Sequence, residues 1–190
     1  MKQKVIFISG IPGTGKTTLS YYLGYQLSID KILNIDTMKA IDQMFISKSE
    51  SPYLYSTTHE SYQIENSPYV DGFKKHCKVF CDQITDLLNH DYIQDKIVLI
   101  EGAQIIPELL NKIDSTKYET YFFTLYTKNK EFLLNRYRKK ALLRPYNWIE
   151  NINIILEIQD YLLKQYNTEF YDVFKSDYKK QVLKRIEQLL

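Results

Sequence analysis

A short apolar segment runs directly into a glycine-rich turn, and this junction constrains the fold more than any other feature of the chain. Residues 5–9 are apolar and partly β-branched, which is typical of a buried strand. The pattern G-x-x-x-x-G-K-[ST] follows, with its fixed positions at Gly10, Gly15, Lys16 and Thr17. Leu19, Leu23 and Leu27 then share one stripe and predict a helix. This order of strand, loop and helix is the setting in which the pattern binds phosphate.

The residue types of this loop suit a triphosphate. Glycines permit backbone conformations that aim successive amide N–H groups at phosphate oxygens, and the following helix adds its unpaired amides and positive dipole end. We predict that Lys16 contacts the outer phosphates and that the Thr17 hydroxyl ligates Mg²⁺. ATP and Mg²⁺ are therefore the expected cofactors, and the expected nucleotide contacts are Gly10, Gly13, Thr14, Gly15, Lys16, Thr17 and Thr18. The alternative is a glycine-rich strand-to-helix turn with an incidental lysine.

Strand-like and helix-like segments alternate along the chain. Strands are predicted at residues 5–9, 31–35, 97–100, 121–126 and 171–174, and helices at 17–27, 37–45, 70–88, 128–143, 148–166 and 177–190. Such alternation predicts a three-layer α/β fold of the P-loop type, with about five parallel strands and helices on both faces. We expect one domain over residues 1–190, with a substrate-side insertion at 47–68 and a small helical lid at about 130–147.

Composition limits the classes of partner. The chain has 25 basic and 23 acidic residues, a net charge of +2, whereas domains that grip long nucleic acids usually carry a clearer basic excess. A nucleic-acid partner is therefore allowed but not favoured. No segment approaches the ~18 apolar residues of a membrane span, and the only cysteines, Cys77 and Cys81, are expected to be reduced packing residues. These features favour a cytoplasmic protein without a membrane partner, and they leave the oligomeric state open.

Two acidic residues follow predicted strands. Asp36 comes directly after the second strand, at the edge where a parallel sheet opens toward its ligands. A carboxylate there can orient or deprotonate an attacking hydroxyl, although Asp36 could also be the N-cap of the next helix. Glu101 ends the third strand and suits a contact with magnesium-bound water, the alternative being a turn residue.

A basic helix follows the fourth predicted strand. Arg136, Lys140 and Arg144 are spaced by four and share a stripe. Guanidinium groups there could close over the transferring phosphoryl group, with Arg136 as a catalytic residue and Arg144 as a nucleotide contact. The alternative is an ordinary solvated basic face.

At these landmarks the chain resembles 2-phosphoglycerate kinases, which are related to polynucleotide kinases and zeta-toxin kinases. The similar segments are residues 10–18, Asn34 to Lys39, Ser56-Thr57-Thr58, Asp71-Gly72-Phe73, Ile100 to Pro107, Arg136-Tyr137-Arg138 and Glu157 to Leu162. The resemblance implies a kinase fold with a five-stranded parallel core. It also implies ATP as donor and phosphorylation of a hydroxyl on a small acidic metabolite.

Two positions depart from that family. Lys39 stands where the family usually has arginine, and Gln104 stands where a histidine is frequent. Lysine lacks the bidentate fork of arginine, so the anionic group of the acceptor is left open. The expected contacts to the acceptor are Asp36, Lys39, Thr57, Thr58 and Glu101.

Three functions remain compatible with the sequence. The first is a kinase acting on a small-molecule hydroxyl. The second is a kinase acting on a nucleic-acid 5′-hydroxyl or a sugar nucleotide, with the tyrosines between Tyr53 and Tyr69 stacking on bases. The third is a non-catalytic nucleotide-binding module. A guanine-nucleotide switch is disfavoured, because Lys130 stands where such proteins carry an aspartate that pairs with guanine.

Overall fold

The centre of the molecule is a parallel sheet of five strands in the order β2-β3-β1-β4-β5. The structure, a computed structural model, describes residues 2–90, 96–143 and 147–190. The strands are β1 (Gln3–Gly10), β2 (Lys31–Asn34), β3 (Ile97–Glu101), β4 (Tyr118–Tyr126) and β5 (Glu169–Asp172). The predicted α/β class with a five-stranded parallel sheet is confirmed.

Helices connect the strands. They are α1 (Lys16–Leu27), α2 (Ile35–Asp42), the short α3 (Pro52–Tyr55), α4 (Tyr69–Asn89), α5 (Lys130–Ala141), α6 (Ile152–Leu162) and α7 (Tyr178–Leu189). Helix α5 begins two residues later than predicted, because the Asn129 side chain accepts a hydrogen bond from Phe132 N and caps the helix. In the part of the chain that the structure describes, no helix combines the length and apolar character needed to cross a bilayer.

The side chains of successive residues in β1 pack on opposite faces of the sheet. Val5 and Phe7 pack in a cluster with Phe80 of α4, whereas Ile6 and Ile8 pack on the other face with residues of α1 and α7. Both sides of the strand are therefore buried, which explains why its sequence is continuously apolar and does not alternate between apolar and polar residues. The molecule has the predicted three layers, with the sheet in the middle.

A third apolar cluster lies beside the phosphate loop. It joins Phe73 of α4, Leu133 and Tyr137 of α5 and Ile155 of α6 to Ile11 of the loop. Helix α5, the predicted lid, is thus anchored against the loop by the apolar residues Leu133 and Tyr137. Both cysteines are buried, and burial raises their pKa values, in agreement with a packing role.

The predicted insertion, residues 47–68, forms an ordered layer on α4. It contains α3 and a short 3₁₀ turn at Ser61–Ile64. Leu54 is fully buried in the core, and Gly72 of α4 lies so close to the backbone of Tyr62 that a Cβ atom would clash. The segment is therefore packed onto the domain at Leu54 and at Tyr62.

Candidate active site

The loop after β1 has the backbone conformation that its glycines predict. Gly10, Gly13 and Gly15 have φ values of 137°, 79° and 92°, in the region that side chains disfavour. A Cβ atom on Gly10 would clash with the carbonyl oxygen of Leu125, and one on Gly13 would lie 2.5 Å from Cε1 of Tyr137. The loop therefore turns tightly between β4 and α5, and only glycine fits at these positions.

Two loop side chains are turned onto the backbone of the loop itself. The buried Thr14 hydroxyl donates to the carbonyl oxygen of Ile11 over 2.8 Å, so this side chain stabilises the turn. Lys16 Nζ donates to the same carbonyl over 3.2 Å. Burial lowers the pKa of Lys16, while the carboxylates of Glu101 and Asp36 act in the opposite direction. Among the residues that the structure describes, this ammonium group donates to the Ile11 carbonyl and not to a carboxylate. An incoming phosphate would supply an anionic partner.

Glu101 joins three elements at the carboxyl edge of the sheet. It is 2% exposed, and its Oε1 accepts hydrogen bonds from the Thr17 hydroxyl at 2.8 Å and from the Asn34 amide. Thr17 and Glu101, the two residues predicted to bind Mg²⁺, are therefore in contact. A hydroxyl and a carboxylate are the hard oxygen donors that Mg²⁺ prefers, so this pair fits the ion.

Asp36 lies in the first turn of α2 and does not cap it. The helix begins at Ile35, and its N-cap is Asn34, whose Oδ1 accepts from Thr37 N at 2.9 Å. The alternative interpretation of Asp36 as an N-cap is therefore wrong, because the chain enters the helix two residues earlier than predicted. The carboxylate is exposed at the cavity, where it accepts a hydrogen bond of 3.3 Å from Gln104 Nε2.

Helix α5 contacts the loop through two consecutive residues. Arg136 Nη1 donates to the carbonyl oxygen of Gly13 over 2.8 Å, and its guanidinium lies 4.5 Å from the centre of the Phe132 ring. The Tyr137 hydroxyl donates to the carbonyl oxygen of Pro12 over 2.8 Å. The predicted lid arginine is thus beside the phosphate loop. Arg144, predicted on the same stripe, lies outside the described residues.

The insertion supplies the opposite wall. Lys39 Nζ donates to the carbonyl oxygen of Ser56, and burial lowers the pKa of Lys39 against the opposing effect of the Asp36 and Glu60 carboxylates. The Thr57 hydroxyl donates to Glu60 over 2.6 Å, and Thr58 is buried next to it. The predicted acceptor residues Asp36, Lys39, Thr57, Thr58 and Glu101 therefore all line one cavity together with the loop.

These groups surround a cavity of about 560 Å³. Its cationic residues are Lys16, Lys39, Arg136, Lys139, Lys140 and Lys179, and its acidic residues are Asp36 and Glu101. Of the predicted loop contacts, Gly10 and Thr14 lie behind the cavity wall and shape the turn, whereas Gly13, Gly15, Lys16, Thr17 and Thr18 line it. The excess of cations over carboxylates gives the cavity a positive potential that favours phosphate and other anions.

Sequence reasoning missed several polar residues of this site. Asn34 could have been found from its position between a strand and a helix, because Asn is a favoured N-cap. His59 and Asn147 gave no local signal: the His59 Nε2 and Asn147 Oδ1 atoms are 2.8 Å apart, but the residues are 88 positions apart in the chain. Contacts of this kind depend on the tertiary fold.

Comparison with known proteins supports the resemblance seen in the sequence. No protein-family model matches the chain. The chain is 24% identical over 167 residues to a 2-phosphoglycerate kinase of Methanocaldococcus jannaschii, covering 84% of this chain and 54% of that protein. It is likewise 24% identical over 169 residues to a 2-phosphoglycerate kinase of Pyrococcus horikoshii, covering 85% and 55%. The chain thus spans about half the length of the curated relatives it matches.

Solved structures share the fold. A putative kinase from Chloroflexus aurantiacus superposes with a TM-score of 0.61 over 100% of both chains at 14% identity. Shikimate kinase from Acinetobacter baumannii, in complex with shikimate, gives a TM-score of 0.53 at 18% identity over 100% of this chain and 93% of that one. A gluconokinase from Sinorhizobium meliloti gives 0.57 at 12% identity over 98% and 95%. The chain therefore has the fold of P-loop kinases and is similar in sequence to 2-phosphoglycerate kinases over most of its length.

Proposed function

We propose that this protein is an ATP-dependent kinase that transfers the γ-phosphoryl group to a hydroxyl of a small, anionic metabolite resembling 2-phosphoglycerate. One observation carries the proposal. The exposed carboxylate of Asp36 lines the same cavity as Lys16 of the phosphate loop and the Thr17–Glu101 pair. A phosphate cradle, a cation site and a proton acceptor in one cavity are the parts that phosphoryl transfer requires.

The loop side of the cavity would hold the nucleotide. The amides at the N-terminus of α1 would hold the phosphates, and Lys16 would exchange its 3.2 Å contact with the Ile11 carbonyl for a phosphate oxygen. Thr17 and Glu101 would hold Mg²⁺, directly or through water, and the ion would neutralise charge on the outer phosphates. Arg136 reaches the loop from α5 and adds a fixed positive charge next to them.

Asp36 would receive the proton of the acceptor hydroxyl. The acceptor oxygen forms a bond to the γ-phosphorus while the bond from that phosphorus to the bridging oxygen of ADP breaks, and the hydroxyl proton passes to the carboxylate. The hydrogen bond from Gln104 leaves the second carboxylate oxygen of Asp36 for the acceptor. Gln104 therefore fixes the orientation of the base.

The opposite wall favours an anionic acceptor. Lys39 lines the cavity and is held at this wall by the Ser56 carbonyl. A volume of about 560 Å³ is within the range of small-ligand pockets, which supports a small acceptor beside the phosphate chain of the nucleotide.

The tyrosines of the insertion give little support to a nucleic-acid acceptor. The Tyr53 hydroxyl is bonded to Glu65, and the Tyr55 hydroxyl to the carbonyls of Gln43 and Ile46. The rings of Tyr62 and Tyr69 pack edge to face on each other. These tyrosines are outside the described lining of the cavity, so they are engaged within the protein rather than arranged as a platform for bases.

A screen for phosphorylated products tests this proposal. The protein is incubated with labelled ATP, Mg²⁺ and separate acceptors: 2-phosphoglycerate, other hydroxy acids, shikimate, gluconate and a 5′-hydroxyl oligonucleotide. We expect label to transfer to an anionic small molecule and Lys16→Ala to abolish the transfer. Transfer to the oligonucleotide alone, or ATP binding without transfer to any acceptor, would contradict the proposal.

A further inference from the structure

Two cations of α5 face the cavity one helical turn apart, and their surroundings differ. Arg136 and Lys140 are four residues apart, so they project from the same side of the helix, and both line the cavity. The guanidinium of Arg136 is occupied by the Gly13 carbonyl and by the Phe132 ring. Arg136 therefore braces the loop, and its position is fixed before any ligand arrives.

Among the residues that the structure describes, Lys140 has only a weak contact. Its side chain is exposed, and Nζ lies 5.3 Å from the centre of the Trp148 ring. A cation over an aromatic ring at an exposed site is a weak interaction, much weaker than an ammonium hydrogen-bonded to phosphate. The ammonium can thus leave the indole when an anion enters the cavity.

Lys140 and Lys16 affect each other electrostatically. Both residues line the cavity, and the charge of Lys140, after the larger effect of burial, is one of the influences that lower the pKa of Lys16. A phosphate group placed between two such cations relieves the repulsion and gains an attraction to each. The cavity is therefore arranged to receive an anion between the loop and this position of α5.

We infer that Lys140 is a catalytic cation that moves from the face of Trp148 to the γ-phosphoryl group of bound ATP. The inference rests on the proposed kinase function. Lys140 donates N–H hydrogen bonds to the oxygens of the transferring group, where negative charge is redistributed during transfer, and it neither gains nor loses a proton. Arg136 and Lys140 then have separate tasks: the arginine orders the loop, and the lysine contacts the phosphoryl group that leaves.

Trp148 is the only tryptophan of the chain, so its fluorescence reports on this movement. The protein is titrated with ADP and with a non-hydrolysable ATP analogue. We expect the analogue to change the emission more than ADP does, because only the analogue carries a γ-phosphoryl group. In Lys140→Gln the difference between the two nucleotides should disappear. Equal emission changes for ADP and the analogue in the wild-type protein would overturn the inference.

Arg138→Gln is the matched control. It removes a cation from the same helix, but the Arg138 guanidinium is bonded to Glu131 and Asn135 and lies outside the described lining of the cavity. This variant should keep the emission difference. Loss of the difference in Arg138→Gln as well would mean that the general charge of α5 is responsible, and would overturn the assignment to Lys140.

Affinity and turnover give independent readouts. Calorimetry should show that Lys140→Gln loses the preference for the ATP analogue over ADP. Its kcat should fall by about 100-fold, which is the usual loss when one hydrogen-bond donor to charge that develops in the transition state is removed. Lys140→Arg should recover most of the loss. If Lys140→Gln keeps both the preference for the ATP analogue over ADP and the kcat of wild type, the inference is overturned while the kinase function stands. If no acceptor is phosphorylated, the kinase function fails, and an emission difference that disappears in Lys140→Gln still supports the contact with the γ-phosphoryl group.

Discussion

The Thr17 hydroxyl, at the start of α1, donates a hydrogen bond of 2.8 Å to Oε1 of Glu101, at the end of β3. The contact joins residues that are 84 positions apart in the chain. It forms because β1 and β3 are parallel neighbours, with Ile8 in register with Glu101, so the phosphate loop and this carboxylate emerge at the same edge of the sheet. The sheet order therefore places a hydroxyl and a carboxylate together where the proposed Mg²⁺ would lie.

Replacement of Glu101 by glutamine should weaken the use of Mg²⁺. The amide keeps the volume of the side chain and can still accept from Thr17, but it lacks the negative charge. We expect the Mg²⁺ concentration for half-maximal ATP turnover to rise by about 10–100-fold, as for other losses of groups that support a metal. A Mg²⁺ titration of the initial rate measures the effect. Glu108→Gln, a carboxylate bonded to Tyr161 outside the described cavity lining, is the control. The same Mg²⁺ requirement in Glu101→Gln and wild type would remove Glu101 from the proposed site.

Alanine at position 13 should strain the phosphate loop. Gly13 has a φ of 79°, and a Cβ atom would lie 2.5 Å from Cε1 of Tyr137. We expect Gly13→Ala to lower the free energy of unfolding by about 2 kcal/mol, a usual cost of backbone strain combined with a clash. Urea denaturation measures this loss.

A second background separates the two causes. Tyr137→Leu shortens the side chain that the new methyl group would meet. Gly13→Ala made in that background should therefore cost less, with about 1 kcal/mol remaining from the positive φ. The same cost in both backgrounds would show that the close approach to Tyr137 contributes nothing.

The buried His76 should make the fold sensitive to acid. Burial lowers its pKa from 6.5 to about 4, the nearby Lys39 and His59 contribute in the same direction, and the Tyr53 carbonyl and Asp36 oppose them. Between these pH values the unfolded chain binds a proton on this imidazole and the folded chain does not. The free energy of unfolding should therefore fall as the pH falls from 6.5 to about 4, by about 3 kcal/mol from this residue alone.

Urea denaturation at pH 7 and at pH 4 measures that loss. His76→Gln should lose less stability between the two pH values than wild type does, although it is less stable at pH 7, because the contact with the Tyr53 carbonyl is altered. His90→Gln, at an exposed position, controls for the loss of a histidine. If the free energy of unfolding falls by the same amount between pH 7 and pH 4 in wild type and in His76→Gln, the prediction is contradicted.

Removal of Lys39 should affect the acceptor more than the nucleotide. Its ammonium lies at the wall formed by the insertion, where the Ser56 carbonyl holds it. We expect Lys39→Ala to raise KM for the anionic acceptor by about 10–100-fold, the loss expected for one charge-assisted hydrogen bond, with KM for ATP nearly unchanged. Initial-rate kinetics with each substrate varied in turn measure both values. Lys48→Ala, an exposed lysine of the same insertion, should change neither. A larger effect on ATP than on the acceptor would place Lys39 on the nucleotide side.

The predictable features of this protein are those encoded in contiguous residues. The strand-loop-helix junction was predicted because the loop glycines and Lys16 are adjacent in sequence, and the positive φ values of the glycines agree with it. The position of Glu101 beside the loop could be predicted because parallel strands deliver their carboxyl ends to one edge. The loop, β3 and the amphipathic α4 could therefore be placed before the fold was known.

Other features depend on contacts that no local pattern encodes. The start of α2 was misplaced because Asn34, and not Asp36, caps it, and both residue types are favoured at that position. The pairing of His59 with Asn147 and the contact of Lys140 with Trp148 require the insertion, α5 and the segment before α6 to pack together first. Tertiary packing decides such contacts, so they were not predicted.

The most direct test of the account is Asp36→Asn, measured for both ATP binding and phosphoryl transfer to an acceptor that wild type phosphorylates. Asp42→Asn, an aspartate at the far end of α2 bonded to Gln83, is the control. The account predicts that Asp36→Asn binds ATP nearly as well as wild type and loses kcat by about 10²–10⁴-fold, the usual contribution of a positioned proton acceptor. Full transfer activity in Asp36→Asn would contradict it.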